Sequence, residues 1–193
     1  MPTRVVIAED EAIIRLDLRE ILEEEGYEIV AETGRGDEAV QLVKQHSPDV
    51  VILDIRMPGM DGLAAAREIT GEKLAAVLML TAFSQRDLIE QARDAGALAY
   101  LVKPFDRNDL VPQIEVALGR HREIVALSQE VKGLEQQIET RRVVDRAKGI
   151  LMDESAMKEH EAFTWIQRRA MKERRTMREI AVQVIEQGLR PTP

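Results

Sequence analysis

The chain has 193 residues, 45% of them hydrophobic and 32% charged, with 27 basic and 35 acidic side chains and a formal net charge of −8. That is enough for one or two globular domains with sizeable cores, and the lack of any cysteine excludes disulfides and thiolate metal sites. No run approaches the roughly 18 apolar residues of a membrane span and no signal-peptide pattern opens the sequence, so a cytoplasmic protein with no membrane partner is expected.

Strand-like apolar runs at 4–8, 28–33, 50–53, 76–80 and 99–102 alternate with amphipathic stretches near 12–25, 37–45, 62–70, 85–95 and 107–118. This alternation predicts an α/β domain, a doubly wound five-stranded parallel sheet with helices on both faces. Gly26 and Gly96 follow helical stretches, as C-terminal caps do, and Pro58-Gly59 marks a loop. After residue 119 only helical patterns appear.

The chemistry sits at the ends of the runs. Val5 to Ala8 leads to Glu9-Asp10, and Val50 to Leu53 leads to Asp54. Adjacent parallel strands would gather these three acids at their carboxyl edge, where open α/β sheets place their sites. Crowded carboxylates repel, so the cluster should hold a proton or a hard cation. An oxygen-only donor set favours Mg²⁺ over a transition metal. The run 76–80 delivers the hydroxyl of Thr81, and 99–102 delivers the ammonium of Lys103. A carboxylate nucleophile, a metal, a hydroxyl and a lysine together are what phosphoryl transfer requires.

Four stretches, VVIAEDE, VVILDIRMPGMDG, LMLTAF and GALAYLVKPF, occur in that order. Through them, residues 1–119 resemble a response-regulator receiver domain, which implies a flavodoxin-like sheet. The resemblance implies that Asp54 accepts phosphate from a sensor histidine kinase. It also implies that Glu9, Asp10, Asp54 and the backbone carbonyl of Arg56 bind Mg²⁺, that Lys103 and Thr81 hold phosphoryl oxygens, and that Tyr100 swings inward on activation. In this family the Lys103-Pro104 peptide is cis. Glu9 departs from the commoner Asp at the first acidic position, and its longer side chain still reaches a metal.

Beyond the receiver, Ile124, Leu127, Val131, Leu134 and Ile138 are spaced by 3, 4, 3 and 4, as in a coiled-coil seam. No proline lies from Gln113 to Leu189, so the last receiver helix could continue through this segment (120–140), although Gly119 and Gly133 weaken it. The stripe reads as a homodimer seam, its pairing open to control by phosphorylation, or as a face packed inside the second domain; the seam is favoured.

Residues 141–193 read as a small all-α domain of three helices. The long helix runs to about Met152, a second spans about 158–172 with Phe163, Ile166 and Ala170 on one face, and a third opens with the capping box Thr176-Met177-Arg178-Glu179. Met177, Ile180, Ala181, Val184 and Ile185 form one stripe of the third helix, which Gly188 and Pro191 end. With no convergent polar set, this bundle suits a binding module and not an enzyme. The charge divides in the same way: residues 1–119 hold 12 basic and 23 acidic side chains, and residues 120–193 hold 15 and 12. A basic second half fits either a polyanion partner or an ion-paired helical surface.

The stretches RRVVDRAKGILM, EAFTWIQRRAM and REIAVQVI make Arg141 to Ile185 similar to the ANTAR domain, an RNA-binding antiterminator module. The resemblance implies binding of paired RNA hairpins and transcription antitermination. Arg141, Arg142 and Lys148 on one helix, with Arg168 and Arg169 on the next, would follow phosphates while loop bases are read by stacking and edge contacts. Trp165 is the obvious stacking candidate, though packing against the bundle is the preferred reading. Gly149 would permit close backbone approach, to RNA or to a neighbouring helix, and Met152 is expected in the core. A receiver with a DNA-binding or protein-binding helical output is the alternative.

Overall fold

The structure is a computed structural model and describes residues 2–82 and 86–191. Phe83 of the third motif and Gln85, at the expected start of the fourth helix, lie outside the described residues. The described residues form two compact units, Met1–Ala126 and Leu127–Pro193.

In the first unit, β1 (Arg4–Ala8), β2 (Glu28–Thr33), β3 (Val50–Asp54), β4 (Ala76–Thr81) and β5 (Ala99–Val102) form one sheet in the order β2-β1-β3-β4-β5. Every pairing is parallel. Successive side chains of a strand point to opposite faces, so each apolar run supplies two cores. Val6, Ala8, Val51, Leu53, Val77 and Met79 pack on one face against α2 (Gly36–His46), α3 (Gly62–Gly71) and α4 (Arg86–Asp94). Val5, Ile7, Val50, Ile52, Leu78 and Leu80 pack on the other against α1 (Ala12–Glu24) and the start of α5 (Arg107–Ser155). Near-continuous apolar strands are what a parallel sheet covered on both faces demands.

Gly26 and Gly96 take φ of 81° and 84° just beyond α1 and α4, a left-handed conformation that glycine adopts without a Cβ clash. The strand order changes direction between β1 and β3, and ligands of such sheets bind outside the carboxyl ends at that point. Ala8 pairs with Leu53 and Asp54 pairs with Leu80, so Glu9-Asp10, Asp54 and Thr81 emerge side by side.

α5 runs unbroken from Arg107 to Ser155, through Gly119 and Gly133. Its later turns join α6 (Glu159–Glu173) and α7 (Met177–Glu186) around Val144, Ala147, Leu151, Ala162, Ile166, Ala170, Ile180, Ala181 and Val184. The capping box forms: Thr176 Oγ1 accepts from Glu179 N at 3.2 Å, and Thr176 N donates to Glu179 Oε2 at 2.8 Å. Two expectations for this unit need correction, and one of the two readings of the stripe falls away. Phe163 turns to solvent at 42% exposure instead of sharing the face of Ile166 and Ala170, and Met152 is 39% exposed instead of core. The stripe Leu127, Val131, Leu134, Ile138, with Ile124 before it, is exposed at 41% or more, so packing inside the second unit is excluded.

Candidate phosphoacceptor site and second-unit surface

Glu9 is fully buried and Asp54 nearly so, while Asp10 is exposed at the rim. Each contributes a carboxylate oxygen to a group lying within 4.8 Å of one another. The Lys103 ammonium reaches between two of them, 2.6 Å from Glu9 Oε2 and 2.7 Å from Asp54 Oδ1. Asp54 Oδ2 accepts a hydrogen bond from the Arg56 amide at 2.8 Å, and Glu9 Oε1 accepts from the Glu11 amide at 3.3 Å. Thr81 is buried at the end of β4, and its carbonyl accepts from the Lys103 amide at 2.8 Å. The Lys103-Pro104 peptide is cis. Asp10, Asp54, Arg56, Thr81 and Lys103 line one cleft of about 330 Å³. Tyr100 stands on β5 at 44% exposure.

The electrostatics follow from burial. Burial pushes the Glu9 carboxyl above its ordinary value; the Lys103 hydrogen bond opposes this and the neighbouring Asp54 charge adds to it. Burial alone would push Lys103 down, yet its hydrogen bonds to Asp54 and Glu9 outweigh that and hold it above the usual lysine value. Three carboxylates against one ammonium leave two negative charges in excess, and all the donors are oxygen. These residues therefore fit a hard divalent cation.

Parts of the support carry no clear signal in sequence. The Arg15 guanidinium donates to the Glu9 carbonyl and lies 3.9 Å from Glu32, but in sequence it is one charge among many on an amphipathic helix. Gly62 begins α3 where a Cβ would fall 1.8 Å from the Asp54 carbonyl oxygen, and Gly36 begins α2 where one would fall 2.0 Å from the Met60 carbonyl. The MPGMDG stretch contains Gly62 without revealing that contact.

In the second unit the cations are not one patch. Arg141 and Lys148 line an open groove of about 660 Å³, whereas Arg168 lines a separate hollow beside Trp165. Arg141 is 87% exposed and Arg142 is also exposed. Lys148 is held by Asp145 at 2.7 Å and Glu159 at 2.8 Å, and Arg169 is paired with Glu173. Trp165 packs against the core of the unit. A Cβ on Gly149 would meet nothing within 4 Å among the described residues, so no neighbouring helix packs where that Cβ would stand.

Comparison with known proteins agrees with these two units. The response regulator receiver domain model matches residues 5–115, and the ANTAR domain model matches residues 132–185, beginning upstream of Arg141. The chain is 58% identical over 186 residues to the transcriptional regulatory protein PdtaR of Mycobacterium tuberculosis, covering 96% of this chain and 91% of that one. It is 39% identical to the chemotaxis protein CheY of Bacillus subtilis over 62% of this chain and all of that protein. Among solved structures it resembles the CheX–CheY complex with BeF₃ and Mg²⁺ from Borrelia burgdorferi. The TM-score there is 0.56 at 32% identity, over 59% of this chain and 87% of that one. A receiver fold with its acidic cleft, joined to a helical unit that matches the ANTAR model, places the chain in the ANTAR-type response regulators of two-component systems.

Proposed function

We propose that Asp54 is the phosphoacceptor and that its phosphorylation controls binding of RNA hairpins by the second unit, leading to transcription antitermination. The observation that carries this reading is Lys103 bridging Glu9 and Asp54 at 2.6 and 2.7 Å over an open cleft, in a chain that also carries an ANTAR domain. A sensor histidine kinase is the donor. Asp54 Oδ1 attacks phosphorus, an O–P bond forms as the N–P bond of the phosphohistidine breaks, and the leaving imidazole nitrogen takes a proton from solvent. Lys103 leaves part of its pairing with Asp54 Oδ1 to neutralise the transferred oxygens, and the Thr81 hydroxyl donates to one of them. Glu9, Asp10, Asp54 and the Arg56 carbonyl would hold Mg²⁺, which supplies positive charge for the phosphoryl oxygens when bound.

Output follows from a two-state receiver. Thr81 drawn toward the phosphoryl group empties space that Tyr100, now 44% exposed, enters. The altered surface changes pairing of two chains along Ile124, Leu127, Val131, Leu134 and Ile138, and two linked modules on two hairpins gain avidity without a new contact. Arg141 and Arg142, both exposed on α5, would meet phosphates. Treating the wild type and Asp54→Asn with acetyl phosphate and Mg²⁺ and measuring intact mass tests the first step. One phosphoryl group on the wild type and none on the variant is the expected result; equal labelling refutes the assignment.

A further inference from the structure

The groove of about 660 Å³ in the second unit has an unusual lining for a small helical bundle. Phe163 of α6 and Met177 of α7 form its apolar floor, and Gln136, Gln137, Thr140 and Arg141 of α5 line its wall. Phe163 is 42% exposed and stands outside the core that holds Trp165. Phe163 therefore stands half-exposed beside the solvent-facing side chains of Gln136 and Gln137.

Resting on the RNA-binding reading above, we infer that this groove receives one unpaired base of a hairpin loop, with Phe163 as its stacking platform. Base–aromatic stacking needs an exposed ring, and Phe163, at 42% exposure, is more open than Trp165, which is partly buried against the core and lines a separate hollow. The amides of Gln136 and Gln137 each present a donor and an acceptor to a base edge. Positive charge at the rim favours a polyanion as the occupant: Arg141 is 87% exposed at the wall with only a long 3.9 Å contact to Asp145 of the same groove, and exposed Arg178 and Arg175, the latter 3.8 Å from Glu179, flank Met177 in sequence at the floor. Lys148 lies against the same groove but is neutralised by Asp145 and Glu159, so it fixes the wall and leaves phosphate contact to Arg141.

The test uses the full chain and a two-hairpin RNA selected on the wild type from a library with randomised loops, carrying 2-aminopurine at successive loop positions. Phe163→Ala should weaken binding roughly 5- to 150-fold and abolish fluorescence quenching at one loop position, while Phe163→Tyr keeps both. Trp165→Phe should leave the quenching unchanged. Phe163→Ala binding and quenching like the wild type overturns the groove assignment and leaves RNA binding intact. Failure of the wild type to select or bind any RNA overturns the RNA reading and this inference together, and points to a protein partner.

Discussion

Replacing Lys103 with methionine removes one ammonium from between two carboxylates and keeps an unbranched side chain as far as the ε position. Its side chain is 11% exposed, with those of Glu9 and Asp54 at 0% and 8%, so solvent screens little of the loss. Breaking a buried pair by removing one partner costs about 3–5 kcal/mol, because the remaining charge stays buried. Glu9 offsets part of this by taking up a proton, which burial already favours, so the lower end, about 3 kcal/mol, is expected at neutral pH without metal. Domains are stable by about 5–15 kcal/mol, and the urea midpoint should fall by about 1–3 M. The only tryptophan, Trp165, lies in the second unit, whereas Tyr27 and Tyr100 both lie in the first. Near-ultraviolet circular dichroism of the tyrosines therefore follows the relevant transition. Added Mg²⁺ should stabilise the variant more than the wild type, since a divalent ion replaces the missing charge. A variant within 0.5 kcal/mol of wild type in chelator (roughly the scatter of surface substitutions), or one that gains no more from Mg²⁺, would refute the reasoning.

Gly62→Ala forces a Cβ to 1.8 Å from the Asp54 carbonyl; a loss of at least about 1–3 kcal/mol by urea unfolding is expected, while Gly71→Ala, with open space around it, should lose nothing. The Tyr27 hydroxyl donates to Glu115 at 3.2 Å, and burial first, then the Glu115 charge, push it up to about 12. A raised folded value means that its contribution to stability is full below pH 10 and is lost as pH rises through 12. Absorbance titration of Tyr100→Phe, which leaves Tyr27 as the only tyrosine, should give a midpoint near 12; an ordinary tyrosine midpoint contradicts the contact. Gly149→Ala replaces a glycine inside α5 with nothing nearby, so the second unit should gain about 0.5–1 kcal/mol in a thermal melt. Destabilisation by that change would show a close neighbour.

The receiver was legible because its function lies at strand ends. Apolar runs of four to six residues can be found without knowing their partners, and the parallel order carries Glu9, Asp54, Thr81 and Lys103 to one edge. The supports of those residues were not legible. Arg15 reaches a backbone carbonyl, and Gly36 and Gly62 admit one; main-chain contacts leave no mark in side-chain pattern. The second unit was harder because helical periodicity locates a face but not its width. Phe163 lies one residue from buried Ala162 and three from buried Ile166, at the edge of the apolar stripe, where a small rotation decides burial. Lys148 reads in sequence as a free cation, yet Glu159, eleven positions away, approaches it only once α6 folds back on α5.

In the proposed function, one acyl phosphate in the first unit governs RNA binding by the second. The most direct test of that control is the affinity of the full chain for a labelled two-hairpin RNA, with and without beryllofluoride and Mg²⁺, in the wild type and in Asp54→Asn. Binding should tighten on activation of the wild type and stay unchanged in the variant. Equal affinity in both states of the wild type, or an equal response from Asp54→Asn, contradicts it.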